Sequence, residues 1–257
     1  MPETTVIIGA DQGLGLAIAH EFGAHDHKII LVARNQAKLV QAHAKLTAAN
    51  ITSTYLVADI AQLDQIEPLF QTLQAKNETI TNLIFNVGDT HLDNSLNGSL
   101  ATIQQTFQLN VLSAIQAVRA FLNHSTTTQK RAIIFTGGGA TIRPTNTAAT
   151  LSLTKAALRS YALTLHQQLA DENVFVSIVT VQGIVGLTAA TQPQKIAAAY
   201  WQLFSDRQLA ELCYPAQQTE SEFTQLKQLL KDPVAREQLF QKQPELAAKL
   251  KPLLAEK

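Results

Sequence analysis

The sequence predicts a doubly wound α/β fold, in which one parallel sheet is covered by helices on both faces. Three observations predict it. Short β-rich runs recur along the chain, stretches with helical apolar spacing separate them, and 257 residues that are 46% hydrophobic suffice for one sizeable core. Strands are expected at Thr4–Gly9, Lys28–Ala33, Ser53–Ala58, Thr81–Asn86, Arg131–Thr136 and Val174–Val181, with a weaker seventh at Ala210–Tyr214. Between them, helical spacing predicts helices over Leu14–Ala24, Gln36–Ala49, Gln62–Ala75, Leu100–Asn123, Leu153–Ala170 and Pro193–Phe204. After Pro215 the pattern changes. Phe223, Leu226, Leu229, Leu230, Val234, Leu239, Phe240, Leu246, Leu250, Leu253 and Leu254 recur at helical spacings with no strand between them. The chain therefore divides into a single α/β domain over 1–214 and a helical C-terminal extension over 215–257, read most simply as amphipathic helices packed on the body.

Charge excludes some partners. Twenty basic and twenty acidic side chains cancel, so no global field favours nucleic acid or an anionic membrane, and a small-molecule partner, or none, is expected. Apolar runs such as HKIILVA and NVFVSIVTV have strand length, well short of the roughly 18 residues of a membrane span. The lone Cys213 has no internal disulfide partner, and MPETTVIIG enters a strand without a leader pattern, so a reducing cytoplasm is the expected compartment. No metal-ligand pattern is read in the chain.

The first strand runs into Gly9-Ala-Asp-Gln-Gly-Leu-Gly15, with Gly9, Gly13 and Gly15 placed before a helix. Glycines at such a corner let backbone N–H groups and a helix N-terminus approach a pyrophosphate, as in Rossmann dinucleotide-binding domains. Downstream, Asp59, Asn86-Val-Gly88, Asn110, Arg143-Pro144 and Lys155 fall in order. With this ordered set, residues 4–214 resemble the short-chain dehydrogenase/reductase family. The resemblance implies a Rossmann domain with strand order 3-2-1-4-5-6 and NAD(P)-dependent oxidoreduction. In it, the carboxylate at Asp59 meets the adenine, Asn86 steadies the sheet beside the cofactor, and Lys155 and Asn110 hold the nicotinamide ribose and a proton-relay water. It also implies a homodimer or homotetramer formed through the helices at Leu100–Asn123 and Leu153–Ala170.

Cofactor choice turns on the end of the second strand. Ala33 leaves no carboxylate for a ribose 2′-hydroxyl, and Arg34 suits the 2′-phosphate, so NADP(H) is favoured. Asp11 and Gln12 in the glycine turn argue the other way, which leaves NAD(H) as the alternative.

In the family, a tyrosine four residues before the lysine donates the proton and an upstream serine polarises the carbonyl. Counting along this chain puts Leu151 in the tyrosine's place and Gly138 in the serine's, and neither side chain donates a hydrogen bond. The alternative spacing of enoyl reductases meets Ala148. Substitute acids to weigh are Thr150, Ser152, Thr136 and His91, although Thr150 or Ser152 is most simply a helix N-cap and His91 a loop residue. Tyr161 reads as packing. Gln182-Gly183 stands where Pro-Gly is usual, and Leu187 where a nicotinamide-contacting threonine is expected, with Thr188 beside it as a substitute. Three readings follow: a nucleotide-binding pseudoenzyme, an oxidoreductase with an unusual acid, or a scaffold subunit.

Overall fold

A computed structural model describes residues 3–76, 78–89, 92–216, 228–242 and 247. Strands β1 (Thr4–Ile8), β2 (Lys28–Ala33), β3 (Ser53–Val57), β4 (Asn82–Phe85), β5 (Arg131–Gly138), β6 (Val174–Val181) and β7 (Glu211–Tyr214) form one sheet. Its order is β3-β2-β1-β4-β5-β6-β7 and every neighbouring pair is parallel. The expected strand order, including the seventh strand at the edge, is what the chain adopts.

The helices are α1 (Gly13–Ala24), α2 (Gln36–Ala48), α3 (Ile66–Ala75), α4 (Leu100–Phe107), α5 (Ser113–His124), α6 (Ala149–Gln168), α7 (Pro193–Asp206) and α8 (Pro233–Lys242). Side chains alternate along each strand, so one sheet supplies two cores. Val6, Ile8, Phe85 and Phe135 face α3, α5 and α6, while Ile7, Ile29, Leu31 and Ile134 face α1, α2 and α7. Burying both faces is why these strands read as near-continuous apolar runs rather than as alternating ones.

Three elements differ from the sequence expectation. The single helix expected over Leu100–Asn123 is interrupted by a π-helical turn at Gln108–Leu112, between α4 and α5. A π turn admits one extra residue without disturbing apolar spacing enough to be seen in sequence, and such turns cluster at functional sites. The third helix is preceded by a 3-10 turn at Leu63–Gln65, and α6 begins at Ala149 rather than Leu153. Of the C-terminal apolar positions, Leu229, Leu230, Val234, Leu239 and Phe240 are described, and Phe223, Leu226, Leu246, Leu250, Leu253 and Leu254 lie outside the described residues. Leu239 of α8 is buried against Leu92, Ile184, Leu187, Leu230 and Phe240, so α8 seats on loops that follow β4 and β6.

Candidate functional site

Because β1 is flanked by β2 on one side and β4 on the other, the chain leaves their C-terminal ends in opposite directions and opens a crevice there. The glycine turn forms its floor. Gly9 has φ of +86°, and a Cβ on it would lie 2.3 Å from the Asn86 carbonyl oxygen. A Cβ on Gly15 would lie 1.9 Å from the Gly9 carbonyl oxygen, so α1 sits directly on the strand end. By contrast, nothing lies within 4 Å of where a Cβ on Gly13 would be, and no side chain caps the N-terminus of α1. The first turn of α1 also carries no acidic residue. An open glycine surface beside an uncapped, acid-free helix start fits a phosphate group.

The other expected cofactor residues ring this turn. Arg34 is exposed at the end of β2, and Asp11 is half-buried within the glycine turn. Asp59 follows β3, where its carboxylate accepts from the Ala61 backbone N–H at 3.1 Å. Asn86, just past β4, donates from Nδ2 to the Gly9 carbonyl at 2.9 Å and accepts at Oδ1 from Thr136 Oγ1 at 2.9 Å. Gly88 leaves room for a lysine, since a Cβ there would lie 2.9 Å from Lys155 Nζ.

Lys155, on α6, is buried and donates from Nζ to the carbonyls of Val87 and Thr136, each at 2.9 Å. Burial pushes its pKa down to about 8. An ammonium has three N–H donors, so one remains for a ligand. Asn110 lies in the π turn, fully buried; its Oδ1 accepts from Asp89 N at 2.8 Å and its Nδ2 donates to Thr154 Oγ1 at 2.9 Å. Sequence order alone had grouped Asn86, Gly88, Asn110 and Lys155, and the fold brings them to the ends of β4 and β5.

Gly138 ends β5 with nothing within 4 Å of where its Cβ would be. Leu151, one helical turn before Lys155, is buried with Ala140, Ala148 and Leu92. The three hydroxyls weighed as substitute acids are each committed, whereas Thr141 Oγ1, in the turn after Gly138, is buried without a hydrogen-bond partner among the described residues. Thr136 donates to Asn86, Thr150 Oγ1 to an Asp93 carboxylate oxygen, and Ser152 Oγ to the Ala148 carbonyl at 2.8 Å. Tyr161 packs edge-on against Phe135, and Thr188 Oγ1 is 3.0 Å from Thr191 Oγ1. His91 lies outside the described residues.

The N-cap reading of Thr150 or Ser152 is corrected by this geometry. Both residues lie inside the first turn of α6, whose cap position is Ala148, and the capping acceptor is Asp93 from the loop after β4. Asp93 and a second residue, Tyr200, were missed in the sequence. Tyr200 of α7 is fully buried and its phenol donates to Thr136 Oγ1 at 2.7 Å. Asp93 and Tyr200 act across 57 and 64 residues of chain, a separation at which no local spacing signals a contact. A cleft of about 440 Å³ runs along the other face of α6, lined by Ala140, Pro144, Ala149, Ser152 and Leu153, beside the Lys155 site rather than in it.

Among the described residues, no helix is long and apolar enough to cross a membrane. Ketoacyl reductase HetN from Nostoc sp. is 27% identical over 196 residues, which is 76% of this chain and 68% of that protein. Inactive hydroxysteroid dehydrogenase-like protein 1 from Homo sapiens is 28% identical over 180 residues, 66% of this chain but only 52% of its own length. Thus the match spans between about half and two thirds of these relatives. Two solved structures share the fold. L-sorbose reductase from Gluconobacter frateurii, complexed with NADPH and L-sorbose, superposes with a TM-score of 0.76 at 20% identity over 83% of this chain and 94% of that one. The citronellol catabolism dehydrogenase of Pseudomonas aeruginosa PAO1 gives 0.76 at 17% identity, covering 82% and 92%. Residues 3–197 match the family model for short chain dehydrogenases, and the chain belongs to that family.

Proposed function

We propose that this protein binds NADP(H) in the crevice above β1 and β4 and has no appreciable carbonyl-reductase activity. Gly138 and Leu151 occupy the positions of the serine and tyrosine that move the proton in active family members. The observation that carries the reading is that the three hydroxyls weighed as substitute acids each donate their single proton within the protein: Thr136 to Asn86, Thr150 to Asp93 and Ser152 to Ala148. A general acid must present its proton to the reacting oxygen. The name of the human relative, an inactive dehydrogenase-like protein, accords with this.

The residues present fit a dinucleotide. The Gly13 turn and the α1 N-terminus would hold the pyrophosphate, Asp59 the adenine side, and Lys155 the nicotinamide ribose through its remaining N–H. A bound nicotinamide supplies or accepts a hydride. Arg34, exposed beside Ala33, provides a guanidinium for a 2′-phosphate, and the NADPH in the L-sorbose reductase complex supports the phosphorylated cofactor. Oligomers form in this reading through the helices over Leu100–Asn123 and α6, where Leu100, Leu112 and Leu153 are exposed.

The test is a binding and turnover experiment on one preparation. NADPH and NADH are titrated against wild type and Arg34→Ala, and a panel of ketones, aldehydes and quinones is assayed with both. Wild type is expected to bind NADPH saturably without turnover, and Arg34→Ala to lose about 1.5–3 kcal/mol for NADPH alone. Restoring Gly138→Ser/Leu151→Tyr is expected to introduce turnover. Wild-type turnover near the roughly 10 s⁻¹ typical of enzymes overturns the proposal.

A further inference from the structure

We infer that Tyr200 is a positioning residue for the glycine turn, acting through Thr136 and Asn86 from α7, which packs on the same face of the sheet as α1. The inference rests on the dinucleotide-binding reading for its purpose, but its physical content is a contact chain that exists in the protein alone. Tyr200 Oη lies 2.7 Å from Thr136 Oγ1, Thr136 Oγ1 lies 2.9 Å from Asn86 Oδ1, and Asn86 Nδ2 lies 2.9 Å from the Gly9 carbonyl oxygen. Four elements are joined in sequence: α7, β5, the end of β4 and the end of β1.

The chain runs in one direction only. The Gly9 oxygen accepts, so the Asn86 amide must present its NH₂ there and turn Oδ1 towards Thr136. Thr136 must then donate its one proton to Oδ1, which leaves its oxygen to accept from Tyr200. Burial raises the phenol far above its ordinary range, so Tyr200 keeps its proton at every working pH and the first donor never fails. Hydrogen bonds arranged head to tail polarise one another, and the amide at the end gains a fixed orientation.

What that orientation holds is the turn itself. Asn86 Nδ2 lies 2.9 Å from where a Cβ on Gly15 would be, directly under the first turn of α1, while Gly9 leaves β1 with φ of +86°. Asn86 thus fixes the height of the helix start whose N–H groups meet the phosphates. The same threonine accepts Lys155 through its backbone carbonyl, so the two halves of the site share one anchor. The Tyr200 ring is already buried among Ile196, Leu203 and Phe204, and phenylalanine would fill that space. Only the hydroxyl serves the site.

The experiment measures amide hydrogen exchange across residues 9–16 of the full-length protein, for wild type, Tyr200→Phe, Thr136→Val, the double variant and Thr136→Ser. Tyr200→Phe and Thr136→Val are expected each to speed exchange in that segment by about five- to tenfold, a bond's worth of local opening, with α7 and β5 unchanged. The double variant is expected to match the single ones, and Thr136→Ser, which keeps the hydroxyl, to match wild type. NADPH affinity is expected to fall by a similar factor. Exchange in residues 9–16 within twofold of wild type for Tyr200→Phe overturns the inference, as does acceleration spread equally over α7 and β5, which marks lost packing alone. Wild type that fails to bind NADPH refutes the dinucleotide reading, while the exchange result still decides the role of Tyr200.

Discussion

Asp93 caps a helix to which it is not adjacent in sequence, and removing its carboxylate measures that device. Its Oδ1 accepts from the Thr150 backbone N–H at 3.0 Å, its other oxygen accepts from the Thr150 hydroxyl, and its backbone carbonyl accepts from Ala149 N at 3.3 Å. Asp93→Ala removes the first two and leaves the third. Loss of an N-cap typically costs about 1 kcal/mol, and a hydrogen bond to a charged group contributes a further 1.5 kcal/mol or so before solvent access to the half-buried carboxylate reduces it. About 2 kcal/mol is the expected destabilisation, which for a domain of this size is a fall of about 4–8 °C in Tm. Asp93→Asn keeps an acceptor for the Thr150 N–H but gives up the negative charge at the helix start, so about half the loss is expected. Urea denaturation followed by circular dichroism provides the free energies, with the m-value checking that both variants unfold from the same compact state. An Asp93→Ala variant within 0.5 kcal/mol of wild type would refute the stabilising cap assigned to Asp93.

Two further outcomes follow from the packing. His27 is buried between Phe22, Trp201 and Phe204 and hydrogen-bonded to Thr5, and its pKa is lowered, first by burial and then by His25 and Arg207 against the opposing pull of Glu3 and Asp26. A histidine with a depressed folded pKa takes up its proton more readily when unfolded, so its contribution is present above pH 6.5 and is lost as pH falls towards its lowered value. Tm measured from pH 7.5 to 5 is expected to fall, and less so for His27→Gln; equal slopes would refute the assignment. Leu239→Ala is expected to release α8 locally, seen as new tryptic cleavage at Lys231 or Arg236 while the core Tm holds, and unchanged cleavage would place the anchoring of α8 elsewhere.

Much of the fold was legible because fully buried strands announce themselves. β2 and β6 match their expected bounds residue for residue, since Lys28–Ala33 and Val174–Val181 are apolar runs with nothing else to be. The start of α6 was not legible, because its cap comes from Asp93 and the local hydroxyls Thr150 and Ser152 offered a plausible decoy. Nor was the π turn, whose extra residue alters backbone bonding at Asn110 without changing which side chains are apolar. At the site, family order located Asn86, Gly88, Asn110 and Lys155, but it was silent on what they bond. Lys155 turns out to be held by two backbone carbonyls and Asn110 by Asp89 and Thr154, contacts that exist only once β4, β5 and α6 have converged.

The sheet order has a consequence for how the chain assembles. Five of its ladders join strands consecutive in sequence, and only β1 with β4 pairs across a long interval, from Thr5–Asn82 to Ile8–Phe85. Each consecutive pair can zip through its own crossover helix, whereas β1 and β4 must close the longest loop, the step most expensive in chain entropy. The molecule is therefore two α/β lobes whose sheet meets at one seam, beside which α1 of the first lobe packs on α7 of the second. That seam is also the floor of the crevice, so a molecule lodged there rivets together the two lobes and resists their parting by mass action.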